Sequence, residues 1–252
     1  MSELINIKGV SKRFDELLAL DNINLTVRDG EFVAIVGSSG CGKSTLLRLI
    51  AGLLPTSEGI VEVNGHKVKG PADDVGIAFQ TPVLLPWRSV VENVSLQLEV
   101  RKLPKAKYET ELRRLIELVG LNGFEDRKPY ELSGGMQQRV ALCRALIHNP
   151  ALLLMDEPFG ALDAMTREQL NLELQRIWME TRKTIVLITH SIIEAVFLAD
   201  RVVVMSPRPG RITKIIDVPV PRPRSFSGLG DPAFQAACDE VRTLMNASGL
   251  TE

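Results

Sequence analysis

The sequence predicts an α/β fold: a core built on a parallel sheet, an antiparallel β portion in the N-terminal half, and a helical section inserted into the core. Three observations predict it. Residues 151–155 (ALLLM), 184–189 (TIVLIT) and 202–205 (VVVM) are short and nearly all apolar, as strands buried on both faces of a parallel sheet are. Helical periodicities lie between them. Asp29-Gly30 and Asn64-Gly65 stand beside apolar runs, and such pairs suit the positive φ of short hairpin turns.

Residues 4–8 alternate weakly between polar and apolar, and 20–28 (LDNINLTVR) alternate more clearly. Asp29-Gly30 offers a turn into 31–36 (EFVAIV), and Asn64-Gly65 separates the runs 59–63 and 66–68. Leu112, Leu115, Ile116 and Val119 follow the i, i+3, i+4, i+7 spacing of one helix face, with Gly120 as a stop. Leu170, Leu174, Ile177 and Trp178 mark a second helix. Strands that alternate with helices imply an α/β core. Residues 84–147 carry helical patterns without a convincing strand and are expected to form the inserted helical subdomain. Residues 206–224 are rich in Pro and Arg around a β-like run at 211–216, and one amphipathic helix is expected at 232–247. The organisation expected is one domain over 1–225 and a tail over 226–252.

Composition narrows the function. Of 252 residues, 45% are apolar and 24% charged, which excludes collagen-like, disordered and coiled-coil classes. Thirty basic against 31 acidic residues leave a net charge of -1, with no basic excess to suggest nucleic-acid binding. Three widely spaced cysteines argue against a disulfide framework and fit a reducing compartment. There is no C-x-x-C, and the histidines stand alone, so no metal spacing appears. The N-terminal MSELINIKGVSKRF lacks the apolar stretch of a signal peptide. No apolar run approaches the ~20 residues of a membrane-spanning helix. Any service to a membrane is expected from the cytoplasmic side and through partners.

The strongest chemical signal is Gly37-Ser38-Ser39-Gly40-Cys41-Gly42-Lys43-Ser44-Thr45, which fits G-x-x-x-x-G-K-[ST] after the apolar FVAIV and before a helical pattern. Glycines let the backbone curl so that successive N–H groups point inward. The helix start adds partial positive charge. Lys43 would reach the β- and γ-phosphates of a nucleotide, and the Ser44 hydroxyl would join a Mg²⁺ shell. A second signal is Asp156-Glu157, directly after the apolar run 151–155. Carboxylates at the C-terminal edge of parallel strands sit where open α/β sheets bind ligands. Asp156 would hold Mg²⁺, and Glu157 would polarise the attacking water as general base.

A third stretch, Leu132-Ser133-Gly134-Gly135-Met136-Gln137-Gln138-Arg139, resembles the signature of the ATP-binding-cassette (ABC) ATPases. A Ser-Gly-Gly helix start is itself an anion site. The resemblance implies a P-loop NTPase with a RecA-like core, using ATP and Mg²⁺. It implies a head-to-tail dimer, in which Ser133, Gly134, Gly135 and Gln137 of one subunit complete the phosphate-loop site of the other. It also implies roles by motif order: Gln80 in GIAFQ touches Mg²⁺ and water, Asp163 in GALD signals between the two sites, and His190 in LITH contacts the γ-phosphate. The family more often has Ser where this chain has Gly160. Phe14, in VSKRF, matches the aromatic that stacks on adenine; the alternative is a core phenylalanine.

A single cassette without a fused membrane domain resembles the ATPase subunit of a bacterial importer, peripheral on the cytoplasmic face of the inner membrane. LLPWRSVVENV (84–94) and SPRPGRI (206–212) resemble the nitrate, sulfonate and taurine branch. The resemblance implies a separate permease, with an external binding protein contacting the solute. Leu84, Leu85, Trp87 and Val90 would either receive a permease helix or pack the subdomain internally. The alternatives are an importer of another solute, such as an aminopyrimidine or bicarbonate, and an ATPase that drives a non-transport assembly. Cys41, near Lys43 and a helix start, is expected to be reactive. Arg208, Arg211, Arg222 and Arg224 are expected to form a solvated surface, with contact to anionic lipid as the second reading.

Overall fold

A computed structural model gives the structure of the chain, describing residues 2–160 and 162–247. Two compact units emerge: one from the residues up to Ala72 together with those from Arg182 onward, the other Asp73–Thr181. In chain order, the first unit opens with β1 (Glu3–Phe14), β2 (Leu17–Arg28), β3 (Phe32–Val36), α1 (Lys43–Ile50), β4 (Glu58–Val63) and β5 (His66–Lys67). The second holds β6 (Val75–Ala78), α2 (Val90–Val94), α3 (Leu96–Val100), α4 (Glu109–Leu118), α5 (Gly134–Leu146), β7 (Leu152–Asp156) and α6 (Ala164–Thr181). The chain then returns to the first unit with β8 (Thr184–Ile188), α7 (Ile192–Leu198), β9 (Arg201–Met205), β10 (Ile212–Asp217) and α8 (Pro232–Ala247). The fold is α/β, as expected.

In the first unit, β2, β1, β4 and β5 form an antiparallel sheet in that order. β1 runs well beyond the weakly alternating 4–8. Register shifts between Ile7 and Val10 and between Val10 and Lys12 break its period of two, which is why the pattern was faint. Asn64-Gly65 closes the β4–β5 hairpin, with Val63 opposite His66 and φ of 51° and 73° at the two turn residues. Asp29-Gly30 does not close a hairpin. β2 stays in the antiparallel sheet, whereas β3 pairs in parallel with β8 and β9. The Gly30 N–H donates to Thr184 Oγ1 at 2.9 Å, pinning this crossing.

Every residue of β3 and β8 is buried, as continuous apolar strands require. β10 adds antiparallel to β9, so this sheet is mixed. α7 packs against β3 and α8, and α8 also covers β9. Phe234, Ala237, Cys238 and Val241 supply the buried face of α8 at helical spacing. The tail's last residues, 248–252, lie outside the described ones.

Two arginines of the Pro-rich stretch are not a solvated surface. Arg224 is 5% exposed. It donates to the carbonyl oxygens of Val196, Phe197 and Ala199 at 2.7, 3.0 and 2.8 Å, and to Val220 O at 2.7 Å. It thereby satisfies carbonyls that the end of α7 leaves without helical partners. Arg222 pairs with Asp200 and with Leu198 O. Arg211 pairs with Asp21.

In the second unit, β6 and β7 are parallel, in register from Val75 opposite Leu152 to Ala78 opposite Met155. Residues 79–151 carry α2 to α5 and no strand. Leu170, Leu174, Ile177 and Trp178 are buried along α6, as their spacing predicts. No helix among the described residues is long and apolar enough to cross a membrane.

Candidate nucleotide site

The glycine-rich loop follows β3 and leads into α1. Gly42 is the helix N-cap at φ 105°, and no side chain caps this helix. Gly42 brings no side chain that would stand between the start of this helix and an incoming anion. Lys43 is 6% exposed, and its Nζ donates to Gly37 O and Ser38 O, both at 2.8 Å. Ser39 and Gly40 are exposed at the crest, while Ser44 and Thr45 are half-buried in the first turn of α1. Cys41 is 1% exposed. Burial denies reagents the access that a reactive thiol needs, so the expectation of reactivity is corrected.

His190 leaves the same sheet edge. β3 and β8 pair up to Ile35 opposite Ile188, and the Thr189 N–H donates to Ile35 O at 3.2 Å. His190, exposed, follows immediately. The turn around it is built from Thr189, whose hydroxyl donates to the buried Glu194 carboxylate and accepts from the Ser191 N–H at 3.0 Å. Ser191 Oγ caps α7 by accepting from the Glu194 N–H at 3.3 Å. Phe14 ends β1 in the same unit. It is 40% exposed, with Lys12 Nζ 5.0 Å from its ring centroid. The core reading of Phe14 is overturned: the ring is exposed, with the Lys12 ammonium over one face.

The second unit gathers the other candidates. Gln80 stands two residues beyond Ala78, and Glu157 two beyond Met155, so they leave one edge of the β6–β7 pair. Asp156, 9% exposed, is the last residue of β7. Glu157 has φ 46°, a left-handed conformation that a non-glycine residue adopts rarely and that clusters at functional sites. Ser133 caps α5, its Oγ accepting from the Met136 N–H at 3.3 Å. Gly134 is exposed and Gly135 buried. Gln137 donates to Pro129 O and Leu132 O at 2.9 and 3.3 Å, which anchors the preceding turn. Asp163 Oδ1 accepts from the Thr166 N–H at 3.0 Å at the start of α6. Hydrogen bonds from Thr166, backbone first, hold its carboxyl below the usual range. Ala161 of the same motif lies outside the described residues.

Buried polar groups shape the segment after Gln80. Gln138 Nε2 donates to Phe79 O at 3.2 Å, and Arg144 donates to Pro82 O and Val83 O at 2.6 and 2.8 Å. Asn93, fully buried, accepts from the Leu85 N–H at 2.8 Å and donates to Leu85 O, Arg88 O and Ser89 O. Trp87 is nonetheless 68% exposed. Leu84 and Leu85 are half-buried. Val90 is 1% exposed and packs inside, so it offers no docking surface. Gln138, Asn93 and the Thr189–Glu194 pair were missed in the sequence. For Gln138, Asn93 and Glu194 the available signal was a polar side chain among apolar helical neighbours; Thr189 follows a strand and gave none.

Within the second unit, the Gln80 amide and the Asp156 carboxylate carry hard oxygen atoms of the kind Mg²⁺ takes, and within the first the Ser44 hydroxyl does. Among the described residues, no group of three or more His, Cys, Asp or Glu could hold a metal alone.

The strand–loop–helix unit on an α/β core defines a phosphate-loop nucleoside triphosphatase. The chain belongs to the ATP-binding subunits of the ABC transporter family: the family model described as ABC transporter matches residues 20–160. It is 50% identical over 233 residues to an uncharacterized ABC transporter ATP-binding protein of Methanocaldococcus jannaschii, covering 91% of this chain and 87% of the relative. It is 46% identical to the taurine import ATP-binding protein TauB of Jannaschia sp., covering 84% and 81%. Among solved structures, the ATP-binding cassette MJ0796, as a dimer in a post-hydrolysis state bound to ADP and Pi, superposes with a TM-score of 0.74 at 33% identity, covering 85% of this chain and 98% of that one. The protein is an ABC-type ATPase that binds and hydrolyses ATP.

Proposed function

We propose that the chain is the ATP-hydrolysing subunit of an importer that takes up a small sulfonate-class anion, taurine or a close relative, through a separate permease. The observation that carries this is the similarity to the taurine import protein over most of both chains. The chain acts as one cassette over residues 1–225, with 84–147 as its helical subdomain and 226–252 as a tail. Two copies work as a homodimer, peripheral to the cytoplasmic face of the membrane.

Each nucleotide-facing residue has one task. Residues 37–45 bind the ATP phosphates through backbone N–H groups, and Lys43 turns from the loop carbonyls to the β- and γ-oxygens. Phe14 stacks on the base, and its unselective face gives weak nucleotide preference. Glu157 accepts a proton from the attacking water, and His190 and Gln80 orient it against the γ-phosphate. Ser44, Gln80 and Asp156 hold Mg²⁺, which when bound neutralises phosphate charge. Ser133, Gly134, Gly135 and Gln137 close over the nucleotide of the partner subunit, and Asp163 relays between the sites. The γ-phosphate stabilises the closed dimer differentially, which shifts the population and drives the permease. Leu84, Leu85 and Trp87 form its docking surface.

The test is uptake of labelled taurine and nitrate by source cells that lack this chain, restored by the unsubstituted chain or by Glu157→Gln. Taurine uptake that is lost, and regained only with the unsubstituted chain, is the expected result. Unchanged uptake of both solutes alongside intact ATPase activity would discard the sulfonate assignment. In vitro, scattering should show that Glu157→Gln dimerises with ATP-Mg²⁺; a strict monomer that binds ATP would contradict the shared-site dimer.

A further inference from the structure

The stretch Ser206-Pro207-Arg208-Pro209-Gly210-Arg211, between β9 and β10, lies directly against the phosphate loop. Arg208 Nε and Nη2 both donate to the Gly40 carbonyl oxygen, at 3.2 and 2.9 Å. The stretch is closed on itself. The Ser206 N–H donates to Arg211 O at 2.9 Å, and the Arg211 N–H donates to Ser206 Oγ at 3.0 Å. It is also tied to β2: the Gly210 N–H donates to Ala19 O at 2.9 Å, the Asp21 N–H donates to Gly210 O at 3.0 Å, and Arg211 Nε donates to Asp21 Oδ2 at 2.9 Å. A Cβ on Gly210 would stand 2.0 Å from the Cys41 carbonyl oxygen, so only glycine allows this approach.

The bond from Arg208 has a directional consequence. A trans peptide points its C=O and its N–H to opposite sides. With the Gly40 oxygen held outward by the guanidinium, the Cys41 N–H of the same peptide faces the inside of the loop. There it donates to Ser38 O in a long 3.4 Å hydrogen bond, the acceptor it holds until a phosphate takes its place. That inward side is where a phosphate-binding loop presents its N–H groups. Holding one peptide in place in advance also avoids part of the entropy that ordering a backbone costs. Arg208 is exposed. Among the described residues it makes no ion pair with a carboxylate, and its guanidinium is engaged with the Gly40 carbonyl.

We propose that Arg208 is a positioning residue for nucleotide binding. It fixes the Gly40–Cys41 peptide so that the Cys41 N–H points at the phosphates. The proposal rests on residues 37–45 being the nucleotide-phosphate site.

The test is titration calorimetry with ATP-Mg²⁺ and ADP-Mg²⁺ on the full chain, comparing Arg208→Ala, Arg208→Lys and, as a control on the loop, Lys43→Ala. Arg208→Ala should weaken ATP and ADP alike by about 5–10-fold. It should raise KM for ATP by a similar factor and leave kcat within about twofold, the pattern of lost uniform binding. Arg208→Lys should recover most of the affinity, because an ammonium donates to the same carbonyl. The melting temperature without nucleotide should not move, since the side chain is exposed. Unchanged affinity in Arg208→Ala, with binding abolished in Lys43→Ala, overturns the proposal and leaves the loop assignment standing. Binding that survives Lys43→Ala overturns the loop assignment itself. A drop in kcat at unchanged affinity also overturns the proposal.

Discussion

Gln138 of α5 donates from Nε2 to the carbonyl oxygen of Phe79 at 3.2 Å, and Phe79 directly precedes Gln80. The helix that opens at Ser133 thus grips the strand end that carries Gln80. Gln138 is 4% exposed, so water does not replace this bond. Gln138→Leu keeps the volume but leaves the Phe79 oxygen unpaired. It should cost about 1–3 kcal/mol in urea unfolding. On the roles proposed for Gln80 and the phosphate loop, ATP hydrolysis should fall about tenfold while ATP affinity holds. Hydrolysis at the unsubstituted rate would remove any functional weight from this contact.

Arg224 organises the end of α7. Burial first, and then the neighbouring Arg222 cation, lower its pKa to about 10, so it stays charged at neutral pH. Removing it strands four carbonyl oxygens. Arg224→Met should destabilise the first unit by about 3–5 kcal/mol, the range for breaking a buried charged network. Arg224→Lys should recover only part, because an ammonium cannot reproduce the guanidinium fork. Thermal melts of the two variants check this ordering.

Glu99 joins Arg88 and Lys105, with both contacts at 2.7 Å. Hydrogen bonds from Lys105 and then Arg88 hold its carboxyl below its ordinary 4.5. In mild acid the unfolded chain therefore binds more protons at this site than the native one. Its stabilisation is present above about pH 4.5 and is lost as pH falls through the lowered native value. The group is partly exposed, so its worth is under about 1 kcal/mol. Glu99→Gln should lower the neutral plateau by up to that amount, leave stability in strong acid nearly unchanged, and so flatten the acid limb.

Trp87 and Asn93 should separate presentation from docking. Trp87→Ala removes an exposed ring and should change stability by less than about 0.5 kcal/mol. The ATPase rate of the free protein should persist, and coupling to permease-bearing vesicles should be lost. Asn93→Leu removes the groups that hold Leu85, Arg88 and Ser89 and leaves these backbone groups unpaired. It should cost about 2–4 kcal/mol and abolish coupling as well. A Trp87→Ala protein that couples normally would move the docking surface elsewhere.

The α/β class was legible because β3, β7 and β8 are continuous apolar runs and α4 and α6 keep helical spacing. The length of β1 was not, because its bulges disturb the alternation on which a strand is read. The Asp29-Gly30 pair looked like a hairpin turn because turn residues report local φ, not which strand comes to lie beside which. Phe14 and Val90 show the same limit in side chains. Both are apolar and flank motifs, yet one is exposed and the other buried.

By itself the sequence determined the chemistry that depends on neighbours along the chain. Residues 37–45 carry the glycine spacing of a phosphate loop between a strand and a helix, and Asp156-Glu157 end a buried strand. These arrangements need only a few adjacent residues, so spacing reveals them. Tertiary structure alone decided where long polar side chains end. Arg208 reaches Gly40 across 168 positions, Gln138 reaches Phe79 across 59, and Arg224 reaches the carbonyls of α7. A polar side chain takes its acceptor from whatever packing brings near, and a buried one must find one; no local pattern records which acceptor that will be.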